Sequence, residues 1–99
     1  MAIVMEMTWD GVTPAQYDAA RAEVRWEEEA PEGGIFHVAW FEGGGLRVVD
    51  AWENAEDFQA FVDNRLMPGV AKVGIEGEPK VTVMPVHRLF DAAHGEARS

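Results

Sequence analysis

Six stretches of the chain carry an apolar pattern, four of them short and β-rich and two with helical spacing. Ala2 to Trp9, AIVMEMTW, is rich in strand formers and stops at the turn pair Asp10-Gly11. Thr13, Pro14 and Gln16 then supply an N-cap, a first-turn proline and a capping-box partner, which predicts a helix with Tyr17, Ala20 and Val24 on one face. Its acidic end, RWEEEAPEGG, breaks at Pro31 and Gly33-Gly34. IFHVAWF and LRVVDAWE read as two antiparallel strands joined by Glu42-Gly43-Gly44-Gly45, where glycine permits the positive φ of a tight hairpin. Asn54 caps a second helix, with Glu56 and Asp57 in its first turn where the helix dipole favours anions. Phe58, Phe61, Val62, Arg65 and Leu66 follow at i, i+3, i+4, i+7 and i+8, a buried stripe that admits one long basic side chain. Pro68 is expected to interrupt it, with GVAKVG adding a short further turn. Val81 to Phe90, VTVMPVHRLF, predicts a last strand, placed at a sheet edge by Pro85.

The order βαββαβ is an α+β, ferredoxin-like layout with one four-stranded antiparallel sheet and two helices. It predicts a single domain over residues 1–90, followed by a flexible C-terminal tail at 91–99. The strands are apolar on both faces. Phe36, Val38 and Trp40 alternate with Ile35, Ala39 and Phe41, and Val49 and Ala51 alternate with Leu46, Val48 and Trp52. Two helices cover only one face of a sheet, and an apolar face left in water is costly and sticky. A second copy of the chain is the simplest cover, so a homodimer is expected.

Composition narrows the partners. A formal charge of −10, from eight basic and eighteen acidic residues, would repel a phosphate backbone, so neither nucleic acid nor an anionic membrane is an expected partner. Without cysteine there are no disulfides, thiolate metal sites or thiol nucleophile, which is compatible with a reducing cytoplasm. No apolar run reaches the ~20 residues of a membrane span, and the N-terminal stretch lacks the basic and long apolar regions of a signal peptide. The expected location is cytoplasmic.

Candidate chemistry centres on Asp50 and Trp52, two residues apart and so on one face of a strand. Among Leu46, Val48 and Trp52 an acid is desolvated, which raises a carboxyl pKa and suits Asp50 to the role of general base. The plainer alternative pairs it with Arg65, Arg88 or backbone N–H groups at the strand end. His37 meets Asp50 only in one hairpin register. If Phe41 pairs with Leu46, His37 lies opposite the acid, which can then set its tautomer for proton relay; if Glu42 pairs with Leu46, the imidazole points away. The first register is preferred, because a charged Glu42 suits a turn. A core histidine satisfied by one hydrogen bond is the plainer reading. His87 either lines the same cleft or sits at the dimer edge, and no metal site is expected from His37, His87 and Asp50 because their spacing is not that of a ligand set. Phe36, Trp40, Tyr17, Trp26 and Met67, with Phe58 and Phe61 from the second helix, are candidates to wall a pocket for a flat apolar ligand.

The layout over about residues 2 to 90, together with VVDAWENAEDFQAFVDNRLMP, resembles the dimeric α+β barrel superfamily and, within it, the antibiotic biosynthesis monooxygenase-like domains. In these a strand ending in acid-x-Trp runs into a helix with a phenylalanine-rich face. The superfamily also includes isomerases, decarboxylases and haem-degrading enzymes. The haem-degrading members use an Asn on the first strand, a Trp on the third and a ligating His on the second helical region; here Trp52 matches, residues 2–9 hold no Asn, and Ala71 falls where the His would be. What the resemblance implies is therefore a homodimeric, cofactor-independent monooxygenase-like enzyme acting on an aromatic or polyketide-like small molecule. Asp50 would be the base, His37 the relay or hydrogen-bond donor, and Trp52 a wall for the substrate ring. The alternatives are an isomerase or cyclase that shares the proton abstraction, or a non-catalytic dimer that binds a hydrophobic small molecule or serves as an accessory subunit.

Overall fold

A computed structural model describes the backbone of residues 1–91 and 96–98 and the side chains of residues 1–90. The elements are β1 (Ile3–Asp10), α1 (Pro14–Val24), β2 (Gly34–Glu42), β3 (Gly45–Trp52), α2 (Ala55–Phe61), α3 (Met67–Val73), β4 (Lys80–Pro85), β5 (Leu89–Asp91) and β6 (Glu96–Arg98). The first four strands form an antiparallel sheet in the order β2-β3-β1-β4, which is the ferredoxin-like arrangement, with β4 at an edge. Both helical segments lie on one face, over a core that includes Met5, Trp9, Val24, Val48, Phe58 and Val70.

Local chemistry explains the ends of the elements. Thr13 and Gln16 close a reciprocal capping box on α1, and Arg25 ends it in the left-handed region at φ 55°. Arg65 reaches across and donates to the carbonyls of Val24 and Arg25, so the one basic residue of the second helical stripe caps the first helix. Because α1 stops at Val24, the acidic run lies beyond the helix end, where Glu27 pairs with Arg21 and Glu29 with Arg25. Gly43 and Gly44 both take positive φ, 60° and 79°, and form the two-residue hairpin turn. That turn pairs Phe41 with Leu46 and places His37 opposite Asp50.

Three features differ from expectation. Pro68 does not interrupt the second helix. The chain widens through a π turn at Val62–Leu66, where Met67 N–H bonds the Val62 carbonyl, and Pro68 then sits at the start of α3, where its missing N–H costs nothing. The fourth strand ends at Pro85, which has no donor to extend the ladder, and the chain bends at His87. Beyond it β5 pairs with β6 as a separate two-stranded ribbon, so the expected tail, 91–99, contributes a strand at Glu96–Arg98; residues 92–95 and 99 lie outside the described ones.

The sheet face away from the helices bears Phe36, Val38 and Trp40, exposed at 41%, 52% and 42%. The extra residue Ile35, bulged between Gly34 and Phe36, leaves these three side chains in step with Val49 and Ala51 of β3.

Candidate active site

Asp50 is the one buried charged residue of the described core, at 4% exposure. A carboxylate there needs hydrogen bonds on both oxygens to offset lost hydration, and it has them. His37 Nδ1 lies 2.6 Å from Oδ1, and Trp52 Nε1 donates to Oδ2 at 3.3 Å. Since a carboxylate only accepts, Nδ1 carries a proton, and when that is the ring's only proton Nε2 is an acceptor. Tyr17 Oη stands 2.6 Å from that nitrogen and donates to it. The phenol in turn accepts from Arg21 Nη1 at 3.3 Å. Three elements, α1, β2 and β3, thus converge on a line of polar groups, Arg21 to Tyr17 to His37 to Asp50 to Trp52, and no buried side-chain N or O among the described residues lacks a partner.

The relay borders an apolar cavity of about 120 Å³ between helices and sheet. That volume is comparable with the roughly 150 Å³ engineered core cavity that takes up benzene, so the space suits one six-membered ring. Tyr17, His37 and Asp50 line it, together with Phe58, Phe61 and the half-exposed Met67 at its mouth. Trp26 packs against His37 with the rings tilted by 43° and centroids 4.9 Å apart, and meets Phe61 edge-on at 5.3 Å. The Tyr17 ring is parallel to the imidazole with centroids 6.0 Å apart, its hydroxyl directed at Nε2.

Other expected site residues lie elsewhere. Phe36 and Trp40 belong to the opposite sheet face: once His37 points at the cavity, the period of two sends its odd-offset neighbours away from it. Trp52 is fully buried and does not line the cavity; Trp26, Phe58 and Phe61 pack over its indole at 5.9, 5.5 and 5.4 Å, so it supports Asp50 from behind rather than walling a substrate. His87 is exposed in the bend after β4 and does not reach the cavity. No group of three potential metal-ligating side chains gathers among the described residues.

No protein-family model and no curated protein matches this sequence. Solved structures do. SnoaB, a cofactor-independent oxygenase from Streptomyces nogalater, superposes with a TM-score of 0.63 at 11% identity, covering 89% of this chain and 94% of its own. Rv0793 from Mycobacterium tuberculosis gives 0.63 at 17% identity, covering 93% and 99%. A candidate antibiotic biosynthesis monooxygenase from Deinococcus radiodurans gives 0.61 at 9% identity, covering 92% and 97%. The chain has the antibiotic biosynthesis monooxygenase-like fold.

On that fold the relay draws on residues that the sequence pattern ranks differently. Asp50 is expected to be the base that meets the substrate, yet both its oxygens are engaged and it stands behind His37. Tyr17, expected only as an aromatic wall, is a polar neighbour of the imidazole and lines the cavity beside it. Nothing in the linear pattern joins Tyr17 to His37, since they lie on a helix and a strand twenty residues apart. Burial pushes the Tyr17 phenol above its ordinary pKa, with the Arg21 guanidinium opposing the shift, so at neutral pH it is a neutral donor.

Proposed function

We propose that the protein is a small monooxygenase-like enzyme, needing no cofactor, that takes a proton from a hydroxylated single-ring aromatic compound held between helices and sheet. The observation that carries this reading is the hydrogen-bonded series Tyr17, His37, Asp50 at the edge of a ring-sized apolar cavity. A substrate hydroxyl placed against Tyr17 Oη gives its proton to that oxygen while the phenol proton moves to His37 Nε2. The imidazolium so formed is stabilised by the Asp50 carboxylate, as in other aspartate-backed histidines. The substrate anion is electron-rich and can pass an electron to molecular oxygen, so the protein supplies positioning and deprotonation. The full burial of the acid side of the relay keeps water from competing for the proton.

The exposed stripe of Phe36, Val38 and Trp40 supports a homodimer in which a second copy covers the open sheet face. With a formal charge of −10 and no described helix long and apolar enough to cross a membrane, the working location is the cytoplasm and neither nucleic acid nor membrane is a partner.

The test is oxygen uptake and product formation with a panel of phenols and hydroquinones, comparing the native chain with His37→Gln. Turnover in the native protein and a fall of about 10²–10⁴-fold in the variant, the usual contribution of a positioned acid or base, are expected. Isomerisation or cyclisation without oxygen uptake would move the relay to that chemistry, which starts with the same proton abstraction. Binding with no turnover by either protein would leave a ligand-binding dimer.

A further inference from the structure

The cavity holds one permanent cation. Of the residues that line it, Arg21 alone carries a fixed positive charge, and the one carboxylate, Asp50, is spent on His37 and Trp52. This is unusual in a chain with eighteen acids and eight bases. Arg21 lies one helical turn beyond Tyr17, the spacing that brings two helix side chains side by side, and its guanidinium carbon stands 6.0 Å from the centre of the Tyr17 ring. Arg21 Nε donates to Glu27, which fixes one edge of the guanidinium of this lining residue. A guanidinium has five N–H donors, and those beyond the two engaged with Glu27 and Tyr17 remain for a ligand.

Resting on the proposed function, we infer that the substrate is an aromatic acid: its ring fills the apolar cavity, its ionised carboxylate pairs with Arg21, and a ring hydroxyl meets Tyr17. An Arg fork recognises a carboxylate through paired, charge-assisted hydrogen bonds, which a neutral phenol cannot provide. Because Nη1 and Tyr17 Oη are only 3.3 Å apart, the acid group and the reacting hydroxyl must be near neighbours on the ring. Arg21 then fixes which hydroxyl reaches the relay and favours the anion that deprotonation produces. The preference is electrostatic, so it weakens with salt.

Calorimetric titration with 2,5-dihydroxybenzoate and with hydroquinone tests this, because the two share an oxidisable ring and differ by one carboxylate. The native protein is expected to bind the acid about 10-fold or more tightly than the neutral ring, a difference of about 1.4 kcal/mol. Arg21→Gln should bring the ratio near one, and Arg21→Lys, which keeps the charge without the fork, should give an intermediate ratio. Raising the salt concentration should weaken the acid alone. Equal binding of the two by the native protein, or a ratio that survives Arg21→Gln, would overturn the role of Arg21 and leave the aromatic cleft intact. If neither compound binds, the cleft reading falls with it. Thermal unfolding of each variant confirms that it is folded.

Discussion

The two faces of the central sheet are built from the same strands and behave as opposites. On the helix side, alternate positions of β2 and β3 carry His37, Asp50 and Trp52, all buried or nearly so and joined by hydrogen bonds. On the other side the intervening positions carry Phe36, Val38 and Trp40, exposed and without a comparable buried network. One residue of offset separates a satisfied polar site from an exposed apolar stripe. The helix face can hold an acid because packing excludes water and the neighbours replace it; the open face stays apolar because its cover must come from outside the fold. The proposed function and the proposed assembly therefore fall on different parities of the same strands.

The strongest way to break the helix face is to spoil its proton relay. Asp50→Asn keeps the shape but no longer offers the imidazole an anionic acceptor, and turnover should fall by about 10²–10⁴-fold in steady-state assays; a fully active variant would remove Asp50 from the relay. Next in size is the support beneath it. Trp52→Ala empties the space under Phe58 and Phe61, and chemical denaturation should show a loss of about 3–5 kcal/mol.

A smaller effect comes from the helix layer itself. A methyl group at Gly69 would sit 2.8 Å from Val24 Cγ1, where α3 crosses α1, so Gly69→Ala should cost about 1–3 kcal/mol as the helices part. The open face is sharpened by Val38→Asp, which places a charge in the middle of the exposed stripe. Native mass spectrometry of the unaltered protein should report twice the 11.0 kDa chain mass, and the variant should shift toward a single chain. A persistent monomer of the unaltered protein would mean that this face is covered in some other way.

The smallest effect is one of pH. Burial raises the Tyr17 pKa above the unfolded value of 10.0, so its contribution to stability is complete below that pH. It is lost as pH rises through the folded pKa, because the folded state then has to hold a tyrosinate. Tyr17→Phe should flatten the decline of stability with pH above about 10, as followed by denaturation at a series of alkaline pH values. An unchanged slope would mean that the phenol is as well hydrated in the folded chain as in the unfolded one.

Much of this organisation is legible in the chain. Thr13-Pro14 and Asn54 start the helices as cap chemistry requires, and the expected pairing of Phe41 with Leu46 brings His37 to Asp50, although Glu42 ends β2 opposite Gly45 and the turn itself is only Gly43-Gly44. Phe36 and Trp40 have the aromatic character of pocket residues, but the same register that turns His37 inward turns them outward. The rest was not available from local pattern. Trp26 follows a left-handed residue after α1, and the direction in which it then packs, across His37 and against Phe61, depends on the path of that turn.

By itself the sequence determined the order of the elements, the edge position of β4 and the shared face of Asp50 and Trp52, because caps, turns and alternation act within a few residues. Only the tertiary structure decided that Tyr17 is hydrogen-bonded to His37, that Trp52 is sealed beneath Phe58 and Phe61, and that Arg21 is among the residues lining the cavity. Those facts depend on how a helix is seated over a sheet, to within the few ångströms over which a hydrogen bond is made or lost.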